Sequence, residues 1–163
     1  MKIRLAEEKD ISVIEAIYDS ARTFMCNTGN MYQWSGGYPN RELILSDLNS
    51  SSLYVAEQND RILGVFVYFY GTEPTYSEIH DGEWKNSLPY GVIHRIAVAE
   101  NAHGMGVSRA CFDFAFKKCG NLKIDTHRDN LPMQRSLVKN GFEYCGIIYL
   151  ENKEERLAFQ KCI

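Results

Sequence analysis

Residues 90–119 read "YGVIHRIAVAENAHGMGVSRACFDFAFKKC": an apolar run, a turn containing glycine, and a run with helical spacing. Gly104 and Gly106 stand one residue apart where the strand hands over to the helix. Glycine takes positive φ and lets a ligand approach the backbone, while the first turn of a helix leaves amide N–H groups unpaired and pointing outward. Such a turn is a seat for an anion. A Walker-type loop would need a lysine after its last glycine, and none is present. A dinucleotide fingerprint would need a third glycine where Arg109 stands and a first glycine directly after the strand, although Asp125 lies at a suitable distance for a ribose contact. A tight turn with no ligand is the remaining reading of these glycines alone.

Working outward, "LKIDT" (122–126) reads as a strand, residues 131–140 as a helix, "FEYCGIIYL" (142–150) as a strand and "RLAFQK" (156–161) as a last edge strand. Upstream, "IRLA" (3–6) is a short strand, and a helix follows from Ile11 toward Gly29 with Asp10 as its N-cap. A second helix, "RELILSDL" (41–48), is capped by Asn40. Strands 53–58 and 62–70 form a hairpin that turns at Asn59 and Asp60, and a long loop runs from 71 to about 88. The order predicts one mixed α/β domain over residues 1–163, with meander strands first and then two βα units with parallel neighbours.

Composition narrows the function. Eighteen Lys plus Arg against 21 Asp plus Glu give a net charge of -3, and no basic stripe gathers, so nucleic acid is not an expected partner. No stretch has the apolar length of a membrane span and the first ten residues lack the pattern of a secretion leader, so the expectation is a soluble cytoplasmic protein with no membrane partner. Five cysteines without a C-x-x-C pair argue against a disulfide framework and a zinc site, and no metal is expected.

The stretch "VIHRIAVAENAHGMGVSRACFDFA" resembles motif A of the GNAT superfamily of N-acetyltransferases, with Asn101, Gly104 and Gly106 on the Q/R-x-x-G-x-G/A pattern and Asn101 in place of the usual Gln or Arg. The segment "DTHRDNLPMQRSLVKNGFEYCGI" is similar to that family's N-x-x-A-x-x-x-Y-x-x-x-G-F, with Asn130, Met133, Gly141 and Phe142 in register. The resemblance implies a twisted, mostly antiparallel sheet of about six or seven strands flanked by about four helices. Its two central strands, around 92–98 and 122–127, would run parallel and splay to admit coenzyme A. It also implies transfer of an acetyl group from acetyl-CoA to an amine. The amides of His103, Gly104, Met105, Gly106, Val107 and Ser108 would converge on the pyrophosphate, helped by the helix dipole. Ile96, Ala97 and Val98 would pair with the pantetheine arm, and Asn130 would reach it from the next helix or serve simply as that helix's cap. One departure stands out: Leu137 occupies the position of the tyrosine that usually protonates the departing thiolate. A non-catalytic acyl-CoA-binding module therefore stays open as a second class.

Two aromatic loops bear on the acceptor. Trp34 and Tyr38 lie in "NMYQWSGGYPN", and Tyr76 and Trp84 lie among acidic residues in "GTEPTYSEIHDGEWKNSLPY". Aromatic faces beside carboxylates suit an amine that arrives as a cation. The expected partner is a small-molecule primary amine, with a peptide or protein amine as the rival, and a homodimer is left open. Many family members place a Glu four residues before the end of the motif A strand, and the arylalkylamine acetyltransferases place a His there. Here the residue is His94, whose side-chain type titrates near neutrality and serves as a general base. Two-residue alternation puts it on the face of Ile96 and Val98, opposite Arg95 and Ala97. Glu73, Glu78 and His127 are alternative bases.

Overall fold

A computed structural model describes residues 1–163. Strands β1 (Lys2–Leu5), β2 (Leu53–Gln58), β3 (Arg61–Tyr70), β4 (Gly91–Val98), β5 (Asn121–Thr126), β6 (Glu143–Tyr149) and β7 (Glu155–Cys162) form one sheet in the order β1-β2-β3-β4-β5-β7-β6. Helices α1 (Ile11–Asn27), α2 (Arg41–Asn49), α3 (Val107–Cys119) and α4 (Leu131–Lys139) complete a mixed α/β fold. Every neighbouring pair of strands is antiparallel except β4 and β5, which run parallel and are bridged only at Gly91–Leu122 and Val92–Lys123. Beyond Val92 the two strands part.

Local chemistry accounts for the elements. Asn59 and Asp60 carry φ of 52° and 58°, the left-handed pair that a tight two-residue hairpin requires. The Asn40 side chain accepts from the Leu43 amide at 2.9 Å and starts α2. Asp10 does not cap α1 as expected. Its carboxylate accepts instead from the Glu7 amide at 2.8 Å and from Arg4 at 2.7 Å. The end of the chain also departs from expectation. Residues 155–162 insert between β5 and β6, so β7 is internal, β6 is the edge, and β5 has one parallel neighbour rather than two.

Apolar side chains collect in three places. One core lies between the sheet and α3, around Phe66, Ile93, Ile96, Phe112 and Leu137. A second lies on the opposite face under α1 and α2, around Ile14, Tyr18, Val65, Val67 and Ala97. The third is small and holds Tyr76, Val92, Ile148 and Ala158 under the loop of residues 71–90. That loop is tied down by polar contacts: His80 bridges Ile147, the Lys85 amide donates to Gln160 at 2.8 Å, and Gln160 donates to Asn121 at 2.7 Å.

Candidate active site

The strand β4 carries the decisive irregularity. Val65 faces Ala97 and Val67 faces His94, so Arg95 and Ile96 together oppose Phe66 in a β-bulge. Arg95 takes a φ of 49°, unusual for a residue with a side chain. Its surroundings hold it there. Asp47 accepts from its guanidinium at 2.7 and 2.9 Å, Tyr38 accepts at 3.1 Å, and the Tyr18 hydroxyl donates to its carbonyl at 2.9 Å. The extra residue reverses the alternation. His94 shares a face with Ala97 and Val67, while Ile93 and Ile96 point together into the core under α3. The sequence placed His94 on the face of Ile96, and the bulge overturns that.

On this face His94 lines a cavity of about 900 Å³ together with Trp34, Tyr38, Glu73, Asp125 and Arg156. The His94 Nε2 lies 3.0 Å from Glu73 Oε2. The Glu73 carboxylate also accepts from the Thr75 hydroxyl at 3.0 Å. The His94 hydrogen bond, followed by opposing burial and the Thr75 contacts, holds Glu73 below its usual range, so it is a carboxylate at neutral pH. With Nε2 directed at Glu73, the other ring nitrogen is left to accept a proton.

Tyr76 and Trp84, expected on the acceptor side, lie behind the cavity wall. Tyr76 is 2% exposed and gives its hydroxyl to Asp125 at 2.6 Å. The Trp84 indole N–H donates to the Tyr76 carbonyl at 3.0 Å, and its ring carries the Lys123 ammonium 4.2 Å above it. Lys123 is buried between Trp84 and Tyr90, and burial lowers its pKa. The protein's own cation therefore occupies the aromatic face. Among the alternative bases, Glu78 and His127 do not line the cavity.

A second cavity, of about 540 Å³, meets the first at Met25, Ile96, Asn130 and Met133. It is lined by Ile96, Ala97, Val98, His103, Gly104, Gly106, Val107, Ser108 and Asn130. Gly104 and Gly106 have φ of 82° and 79°, and a Cβ at either would meet no protein atom within 4 Å, so backbone conformation alone demands glycine. Five of the six expected amides have no acceptor in the protein. Met105 is the exception: its N–H donates to the Ala102 carbonyl at 3.2 Å, and its side chain is half exposed outside the cleft. A phosphate fits this turn on two grounds, the free amides at the head of α3 and the open space over both glycines. Because β4 is unpaired toward β5 beyond Val92, its backbone there is a free strand edge that an extended arm can join.

Asn130 caps α4 through the Met133 amide at 3.2 Å and donates to Gln33 at 2.8 Å. The cap is thus real, and the residue also stands where the two cavities meet. Leu137 is fully buried beside Phe112 and lines neither cavity. Three cations that the sequence did not single out, Arg109, Arg135 and Lys139, line this second cavity. The recurrence of Pro132, Arg135, Ser136 and Lys139 at three- and four-residue intervals could have shown that they share one face of a helix.

Comparison with curated proteins gives no significant match. A structure of a GNAT-family acetyltransferase from Streptococcus agalactiae 2603 is 31% identical, with a TM-score of 0.91 over 99% of this chain and 95% of that one. A GNAT-family acetyltransferase from Listeria monocytogenes 4b F2365 is 18% identical, with a TM-score of 0.73 over 99% and 94% of the two chains. A ribosomal-protein-alanine N-acetyltransferase from Brucella melitensis is 20% identical, with a TM-score of 0.65 over the full length of both. The last two likenesses speak for the fold alone. The model of the acetyltransferase (GNAT) family matches residues 14–142, and with the parted β4 and β5 and the glycine turn at the head of α3, the chain belongs to that family and is an acyltransferase.

Proposed function

We propose that the protein transfers an acetyl group from acetyl-CoA to the primary amine of a small molecule, by direct attack with both substrates bound. The observation that carries this reading is the His94–Glu73 pair at 3.0 Å, in an aromatic-walled cavity that opens into the cofactor cleft. A cavity of about 900 Å³ is of the size that small ligands use. Acetyl-CoA supplies the thioester carbonyl carbon that the amine attacks. His103, Gly104, Gly106, Val107 and Ser108 bind the pyrophosphate through their amides, and β4 aligns the arm. His94 removes a proton from the incoming ammonium, because a protonated amine has no lone pair to donate, and Glu73 fixes the ring for that transfer. The nitrogen–carbon bond forms as the carbon–sulfur bond breaks, and the sulfur leaves as a thiolate. Leu137 has no proton to give it. Ser136, one residue earlier and lining the cleft, carries the hydroxyl nearest to this position along α4.

Steady-state kinetics on His94→Ala test the assignment. Turnover falls by about 10² or more while acetyl-CoA affinity stays near its original value. The pH dependence that a general base gives the wild-type rate is lost in the variant. Glu73→Gln, which can donate to Nε2 and invert the ring's proton arrangement, gives a smaller loss of the same kind. Full activity with an unchanged pH profile in His94→Ala removes His94 from the mechanism.

A further inference from the structure

We infer that Asp125 is the seat of the acceptor's ammonium group and sets the substrate class: primary amines that carry no carboxylate beside the nitrogen. This rests on the acetyltransferase reading above and goes beyond it. Asp125 lies on β5, two residues past the last bridge of β5 to β4, and His94 lies two residues past the same bridge on β4. The two side chains therefore lie on the same face of the sheet, on either side of the opening between the parted strands, and both line the same cavity. Tyr76 spans the gap from behind, with its ring 6.2 Å from the His94 ring and its hydroxyl 2.6 Å from Asp125 Oδ2.

Asp125 is half-buried, and no lysine, arginine or histidine of the protein pairs with it. The more deeply buried Asp47 and Asp10 do have cations, Arg95 and Arg4. A half-buried carboxylate facing a cavity without a counter-ion is a natural place for a cationic ligand. The Tyr76 hydroxyl does not neutralise it. Burial first, and then the charge of Asp125, push that hydroxyl well above its usual titration range, so it remains a donor and fixes the carboxylate in place. One Asp125 oxygen is left for the cavity. An ammonium held there stands beside the His94 ring that takes its proton. An α-amino acid bound the same way would bring its own carboxylate up against Glu73 and Asp125, and the two arginines that line the cavity are already engaged, Arg95 by Asp47 and Arg156 by Glu154, so it is disfavoured.

The test uses the full chain and the matched probes tyramine and tyrosine, which differ by one carboxylate. Wild type acetylates tyramine and leaves tyrosine at least about tenfold less used. Asp125→Asn keeps the acceptor for the Tyr76 hydroxyl and removes the charge. It raises the tyramine KM about 10- to 100-fold, the range for losing a charge-assisted hydrogen bond, with little change in acetyl-CoA affinity. Tyr76→Phe, which keeps the charge but frees the carboxylate, gives an intermediate rise. Calorimetric binding of tyramine to the acetyl-CoA-free protein, weakened in Asp125→Asn, reads the seat without turnover. Tyramine turnover that is indifferent to Asp125, or tyrosine used equally well, overturns the seat and leaves the acetyltransferase reading intact. Absence of both tyramine binding and turnover overturns the seat as drawn. Absence of turnover with every amine then overturns the small-molecule reading as well.

Discussion

Asp10 illustrates how a single carboxylate takes a role that its position in the sequence does not announce. A residue before a helical run reads as a cap, yet Arg4 claims this one, donating to it at 2.7 and 3.2 Å while also holding Glu57 at 2.8 Å. The guanidinium thereby ties β1 to β2 and to the start of α1. The Arg4 hydrogen bond, set against burial and aided by the Glu7 amide, holds the Asp10 carboxyl below its ordinary value. A carboxylate with a depressed folded pKa stabilises fully above its unfolded value, about 3.9, and that contribution fades as pH falls through the folded value. Asp10→Asn is therefore expected to lose about 1–3 kcal/mol in urea unfolding at neutral pH. The gap from wild type should shrink below about pH 4. An equal gap at both pH values would show that packing, not charge, is what the substitution disturbs.

Elements whose cause is local were legible in the sequence, and those whose cause lies far along the chain were not. The hairpin at Asn59 and Asp60, the Asn40 cap and the glycine turn ahead of α3 each depend on neighbours within a few residues, and each stands where the sequence put it. The bulge in β4 was invisible because it is held from Asp47, Tyr38 and Tyr18, residues 48, 57 and 77 positions away. One added residue then moved His94 to the other face. Likewise Tyr76 and Trp84 read as pocket aromatics because nothing in the sequence says that Lys123 fills the space between Trp84 and Tyr90. In α4, Leu137 sits where the family motif has tyrosine, and its side chain is wholly inside the core beside Phe112 and Phe142. Leu137→Tyr should therefore fail to restore a proton donor. Its ring and hydroxyl would enter a packed core at a cost of about 1–3 kcal/mol, lowering the melting temperature with no gain in turnover. A faster enzyme of unchanged stability would show that the helix can turn that side chain to the cleft.

At the scale of the whole molecule, the proposed acceptor side is assembled by a strand and a loop that lie far apart in the sequence. The final strand inserts beside β5 and pushes β6 to the edge, and the loop of residues 71–90 then lies over this half of the sheet, carrying Glu73 to His94 and Tyr76 to Asp125. Its contact with β6 is close backbone against backbone. The His80 amide donates to the Ile147 carbonyl and the Ile147 amide to the His80 carbonyl, each at 2.8 Å. Gly146, at a φ of 149°, makes room for this, since a Cβ there would stand 2.6 Å from the His80 carbonyl oxygen and 3.0 Å from Ile79. Neither the backbone oxygen nor the branched side chain can yield without shifting the loop. Gly146→Ala should then do two things at once. Overpacking and the disfavoured φ should cost about 1–3 kcal/mol in thermal unfolding. The displaced loop should loosen Glu73 and Tyr76, so the amine KM rises and turnover falls. Acetyl-CoA affinity should hold, because the glycine turn and α3 lie on the other side of β4. Calorimetry with acetyl-CoA beside amine kinetics separates these effects, and a variant with wild-type melting and wild-type KM would mean that the loop is not what positions the acceptor site.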